Sequence, residues 1–122
     1  MIGDAADEKA QAIERVEGHN IPRIQSADGH CILQILSPPE TTGDAEWYML
    51  EIQPGASLTS QPHAPGCWEH LSILAGEALV ISAEAQAAAG AGATLRYRAD
   101  VPHSISNSGK TALKALLVVL TA

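Results

Sequence analysis

Between Pro54 and Asn107 the sequence sets two imidazoles and a carboxylate, His63, Glu69 and His103, inside two short motifs. The first runs Pro-Gly-Ala-Ser-Leu-Thr-Ser-Gln-Pro-His-Ala-Pro-Gly-Cys-Trp-Glu-His from Pro54. The second runs Gly-Ala-Thr-Leu-Arg-Tyr-Arg-Ala-Asp-Val-Pro-His-Ser-Ile-Ser-Asn from Gly92. Side chains alternate faces along a strand. In a strand starting at Trp68, Glu69 therefore shares its face with Leu71 and Ile73, and His70 points the other way with Trp68 and Ser72. In a strand starting at Val101, His103 shares its face with Val101 and Ile105. A carboxylate turned toward an apolar interior is costly unless it is neutralised, paired or bound to a cation. A His–Glu pair is one answer. A metal ion held by two histidines and one carboxylate is another; that donor set suits iron and equally zinc, manganese or nickel. His63 lies in the Pro-flanked loop Gln-Pro-His-Ala-Pro-Gly, and a rigid loop leading into a strand brings it toward the same centre. By residue type alone, a histidine satisfied within the core stands as an alternative.

Other candidates carry less. His19 and His30 sit in polar surroundings and read as solvated. Cys67 is near the site in sequence, but reactivity requires a lowered thiol pKa. Ser104, His103 and Asp100 are the residue types of a nucleophilic triad, yet near neighbours along a chain rarely reach that geometry. No phosphate-binding loop, dinucleotide fingerprint, nucleophile elbow or Cys-x-x-Cys occurs. Arg96 and Arg98 precede the second motif and read as solvated, with an anionic ligand group as their other possible partner.

The elements that must position these residues are strands. Cys31–Leu36 is an apolar run between Asp28-Gly29 and Ser37-Pro38-Pro39. Residues 46–53 alternate, with Tyr48, Leu50 and Ile52 on one face. Pro54-Gly55 makes a turn. Strands 68–75 and 78–83 read as a hairpin through Gly76-Glu77. Residues 84–92, rich in Ala and Gly, read as a long exposed turn, and strands are expected at 93–98, 101–107 and 111–121. The exception is the start: Ala6, Ala10, Ile13 and Val16 fall at helical spacing before Gly18, so a short helix over 4–17 is expected. The pattern predicts an all-β sandwich or barrel at 21–122, preceded at 1–20 by a helical or extended arm.

Bulk properties narrow the function classes. A chain of 122 residues with 46% hydrophobic residues fits one folded domain. With no Phe, the core must be aliphatic. Seven basic residues against fourteen acidic ones give a net charge of −7, which argues against direct nucleic-acid binding by this chain. No apolar run is long enough for a membrane helix, and the acidic start lacks a signal-peptide layout. Two cysteines, Cys31 and Cys67, read as reduced thiols of a cytoplasmic protein.

The paired motifs resemble those of the cupin superfamily over roughly residues 45–121. Gly55, His63, Glu69 and Gly76 fit its first motif; Gly92, His103 and Asn107 fit its second. The resemblance implies a double-stranded β-helix, a small jelly-roll barrel, with His63, Glu69 and His103 as metal ligands and a ligand pocket inside. It also implies a homodimer. Where the family places a second histidine this chain has Pro65, so three of the usual four ligands remain.

Pro-His-Ala-Pro-Gly-x-x-Glu-His, Arg-Ala-Asp-x-Pro-His-Ser and Ser-Ala-Asp-Gly-His are further similar to the cupin sensor domains of Xre-like bacterial regulators, in which the cupin follows a helix-turn-helix. Residues 1–20 are too few for such a module. The expectation is a sensor domain that binds a small molecule, with or without a divalent metal, as part of a regulator or as a single-domain relative. The alternative is a small metal-dependent enzyme, an oxygenase, isomerase or lyase, using the same two-His-one-Glu site.

Overall fold

In the strand Trp68–Ala75, Glu69, Leu71 and Ile73 are buried while Trp68 and Leu74 stay exposed, as a pleated strand with one face on a core requires. The computed structural model describes residues 12–121, and ten strands account for most of them. In chain order they are β1 (Arg23–Gln25), β2 (Cys31–Ile35), β3 (Ala45–Ile52), β4 (Ser57–Ser60) and β5 (Trp68–Ala75). There follow β6 (Glu77–Ser82), β7 (Ala85–Gly90), β8 (Thr94–Arg98), β9 (His103–Asn107) and β10 (Leu113–Leu120).

All pairings are antiparallel. One sheet has the order β1-β2-β3-β10-β5-β8 and the other β4-β9-β6-β7. The two sheets form the double-stranded β-helix of a jelly roll. Leu50, Ile52, Leu71, Ile73, Ile105 and Leu113 are fully buried between them, each contributing on the order of 1.5–3 kcal/mol of apolar burial. The core is aliphatic, as a sequence without Phe demands.

Three local expectations are corrected. Gly76-Glu77 is not a hairpin turn, because β5 and β6 belong to different sheets. The chain crosses between the sheets at Gly76, which has φ 85° and lies so close to β10 that a Cβ would meet the Ala112 carbonyl oxygen at 2.7 Å. The hairpin comes one strand later: β6 and β7 pair from Glu77–Gly90 to Ser82–Ala85, closed by Ala83-Glu84, with Ala83 at φ 53°. Residues 85–90 are therefore a strand. Alanine has poor strand propensity, but β6 supplies a full ladder of partners and outweighs it.

The arm is the third. Residues 12–17 form no helix, and the first regular feature is a 3-10 turn at Gly18–Asn20; residues 4–11 of the expected helix lie outside the described residues. Ile13 and Val16 are 82% and 54% exposed, so the described part of the apolar stripe buries little, and a short helix without packing does not repay its nucleation.

Candidate metal centre and its cavity

The inward row across the larger sheet passes through Glu46 on β3, Val119 on β10, Glu69 on β5 and Tyr97 on β8, each directly opposite the next. The facing sheet brings His103 on β9, opposite Ser60 and Ser82. His63 enters from the loop after β4, where its backbone amide donates to the Ala99 carbonyl at 2.8 Å. That loop is also tied to the second motif by the Gly66 amide, which donates to Asp100 Oδ2 at 3.0 Å; Arg98 donates to both oxygens of the same carboxylate. These contacts hold Asp100 at a pKa of about 2, Arg98 being the larger cause and the Gly66 amide the second.

The three sequence-derived candidates come together. Glu69 Oε2 lies 3.1 Å from His63 Nε2 and 3.2 Å from His103 Nε2. One donor atom from each residue falls within 4.8 Å of the others. Glu69 and His103 side chains are 4% and 1% exposed, whereas His63 is 39% exposed and forms the solvent side of the cluster. His70 points away from it, in register with Val118 and Arg96.

Two further contacts orient the donors. His103 Nδ1 lies 2.7 Å from the Val101 carbonyl oxygen. A carbonyl oxygen only accepts, so Nδ1 carries hydrogen and Nε2 is the atom turned toward Glu69. The Tyr97 hydroxyl donates to Glu69 Oε1 at 2.6 Å, which leaves Oε2 as the oxygen facing both imidazoles. A carboxylate oxygen and two ring nitrogens crowded at these distances need a cation among them, a proton or a metal ion. The donor set therefore fits a divalent metal, and the Val101 and Tyr97 contacts are the outer hydrogen bonds that such ligands commonly have.

Tyr97 was not among the sequence candidates. Burial, then the Glu69 charge and the hydrogen bond to it, push its pKa far up, so it acts as a fixed donor. Its inward parity in strand 93–98 was legible; its position opposite Glu69 needed the β5–β8 register. Asn107, a motif residue, serves the backbone instead: Nδ2 donates to the Ile52 and Thr111 carbonyls, and Oδ1 accepts from the Gly109 amide. It pins the β9–β10 turn. Arg96 and Arg98 are exposed, and Arg98 is engaged with Asp100, so neither lines the cavity. Pro65 is exposed in the loop, with the Ala64 carbonyl beside it accepting from the Cys67 amide. Cys67 is buried, and burial, then the Glu69 charge, push its thiol up; it is not an activated nucleophile.

His63 and Glu69 open onto a cavity of about 310 Å³ walled by Leu33, Leu58, Leu117 and Val119. Glu46 and Tyr48, two strands from Glu69 on the same sheet, also line it and border a second cavity of about 670 Å³. Tyr48 donates to Glu46 Oε1 at 2.6 Å, and burial followed by that hydrogen bond pushes the phenol to about 12. Among the described residues no helix is long and apolar enough to cross a membrane.

Comparison with known proteins agrees with this architecture. The family model of the cupin domain, Cupin_2, matches residues 48–119. No curated protein matches the sequence. Among solved structures, the chain is similar to the Cupin_2 domain of an XRE family transcriptional regulator from Enterobacter cloacae, with 22% identity, 76% of this chain and 98% of that one covered, and a TM-score of 0.70. It is similar to a predicted oxalate decarboxylase from Thermotoga maritima at 24% identity, covering 89% and 100% of the two chains with a TM-score of 0.66. It is also similar to a sugar phosphate isomerase from a cupin superfamily from Silicibacter pomeroyi, at 16% identity, 89% and 76% coverage and a TM-score of 0.68. At these identities the likeness is one of fold. The family match spans more than half of the chain, from the third strand to the end of the last, and this protein belongs to the cupin domain family.

Proposed function

We propose that this domain is a ligand-sensing cupin. Its cavity takes a small, partly apolar molecule, and a divalent transition metal (iron, zinc, manganese or nickel) sits at the polar end, held by His63, Glu69 and His103. The observation that carries this reading is the convergence of Nε2 of both histidines on Glu69 Oε2 at the wall of an apolar cavity. When bound, the metal supplies a positive centre that attracts an anionic or electron-rich ligand group. Tyr97 and Val101 hold the ligand atoms in place, and the apolar walls accept the rest of the molecule. Pro65 leaves three protein donors, which suits ligand capture at open positions. The likeness to the cupin domain of an XRE family regulator supports a regulatory setting. In that setting ligand binding is passed to a partner domain or to a second copy in a homodimer, without direct nucleic-acid contact by this chain.

Calorimetric titration with Fe²⁺, Zn²⁺, Mn²⁺ and Ni²⁺, followed by a metabolite panel on the loaded and metal-free protein, tests the reading. Binding of a compound without turnover is expected. Catalytic conversion of that compound contradicts the sensor reading and establishes the second one, a metal-dependent oxygenase, isomerase or lyase. The open positions left by a three-donor set favour that alternative, as does the likeness to the predicted decarboxylase and the isomerase.

A further inference from the structure

Resting on the reading of the cavity as a ligand site, we infer that Glu46 determines which ligands enter. The cavity selects molecules with a cationic or hydrogen-bond-donating group at the end remote from His63, Glu69 and His103, and rejects molecules with a second anionic group there.

Four observations support this. Glu46 and Glu69 lie in one inward row of the larger sheet with only Val119 between them, so their backbones are two strand spacings apart, roughly 10 Å. Both border the same cavity of about 310 Å³. Tyr48 occupies Glu46 Oε1, and among the described residues Glu46 forms no ion pair and no other hydrogen bond, leaving Oε2 as an acceptor. No Lys or Arg is among the residues that line the cavity; Arg98, within the second motif, is exposed and bound to Asp100.

The cavity thus has two carboxylates along one wall, two strands apart, and no Lys or Arg side chain among its lining residues. A metal at one side offsets Glu69 and can accept an anionic group. Among the described residues no cation is paired with Glu46. A group placed near it is favoured if it donates or carries positive charge, and is repelled if it is anionic, with low-dielectric walls strengthening both effects. Tyr48 adds to the selection: its raised pKa keeps it protonated, and its hydrogen is already committed to Glu46, so it offers no donor to an incoming anion.

Three six-carbon probes isolate the far end: 6-aminohexanoate, hexanoate and adipate share a carboxylate at one end and carry ammonium, methyl or carboxylate at the other. Isothermal titration of each, with and without equimolar Zn²⁺, is expected to rank them in that order, the first binding at least about tenfold tighter than the last. Glu46→Gln is expected to bring the three within about threefold, chiefly by tightening adipate. Adipate binding wild-type protein as tightly as hexanoate overturns the inference, and this comparison needs no variant. An unchanged ranking in folded Glu46→Gln also overturns the assignment to Glu46. If none of the three binds either protein, the ligand-pocket reading itself fails and takes the inference with it.

Discussion

Tyr97 faces Glu69 directly across the β8–β5 ladder, and its hydroxyl donates to Oε1 at 2.6 Å while Oε2 is shared by two imidazoles. The phenol thereby decides which oxygen of a buried carboxylate is presented to the centre. Tyr97→Phe leaves that oxygen without its donor. The expected results are a loss of about 1–3 kcal/mol in urea denaturation and metal affinity lower by about 10-fold or more in chelator competition. Unchanged affinity would show that Tyr97 only fills space.

The three histidines of the region should separate by position. His103→Ala removes a side chain that is 1% exposed and should cost both metal uptake and stability. His63→Ala removes one that is 39% exposed and should abolish uptake while costing less stability than His103→Ala, since only its Glu69 hydrogen bond is lost from the buried cluster. His70→Ala should leave uptake intact. Elemental analysis of the purified variants after metal supplementation, with parallel denaturation curves, reads all three outcomes.

Asp100 couples the two motifs through Arg98 and the Gly66 amide, and its pKa falls from 3.8 to about 2. A carboxylate with a depressed folded pKa stabilises the fold fully above its unfolded value, and that contribution disappears as pH falls through the folded one. Wild type should therefore exceed Asp100→Asn in stability above about pH 4, and the two acid-unfolding curves should converge as pH falls toward about 2. Because Gly66 lies in the loop that carries His63, the variant should also bind metal more weakly at neutral pH. Curves that stay parallel through this window would contradict the coupling.

Two backbone positions should respond in opposite directions. Gly76→Ala places a Cβ 2.7 Å from the Ala112 carbonyl oxygen at a left-handed φ, and should destabilise by at least about 1–3 kcal/mol. Ala83 already holds φ 53° in the β6–β7 turn, so Ala83→Gly should stabilise by up to about 1 kcal/mol. Thermal denaturation of the two variants checks both signs.

The parts of the site that follow strand parity were legible in the sequence. Glu69 and His103 turn inward because alternate positions in their strands are apolar, and His63 arrives on a loop stiffened by Pro62 and Pro65. What parity cannot supply is register and sheet membership. Tyr97 stands opposite Glu69, and Glu46 shares its row, only because β3, β10, β5 and β8 align in a particular way. Gly76 looked like a turn within one sheet, since a local Gly-Glu pair carries no sign that the next strand joins the other sheet. The alanines of β7 carry little strand propensity, and the β6 ladder that fixes them is not local. The start of the chain shows the converse. Its helical periodicity is local, and over 12–17, where Ile13 and Val16 stay largely exposed, no helix forms.

The proposed function places one metal ion between His63, Glu69 and His103. Anomalous diffraction from crystals of the protein reconstituted with Zn²⁺ or Mn²⁺ tests it most directly. The expected result is a single strong peak within bonding distance of His63 Nε2, Glu69 Oε2 and His103 Nε2. A peak at another cluster, such as His30 with Asp28, or no peak at the three-residue centre in metal-saturated crystals, would contradict it.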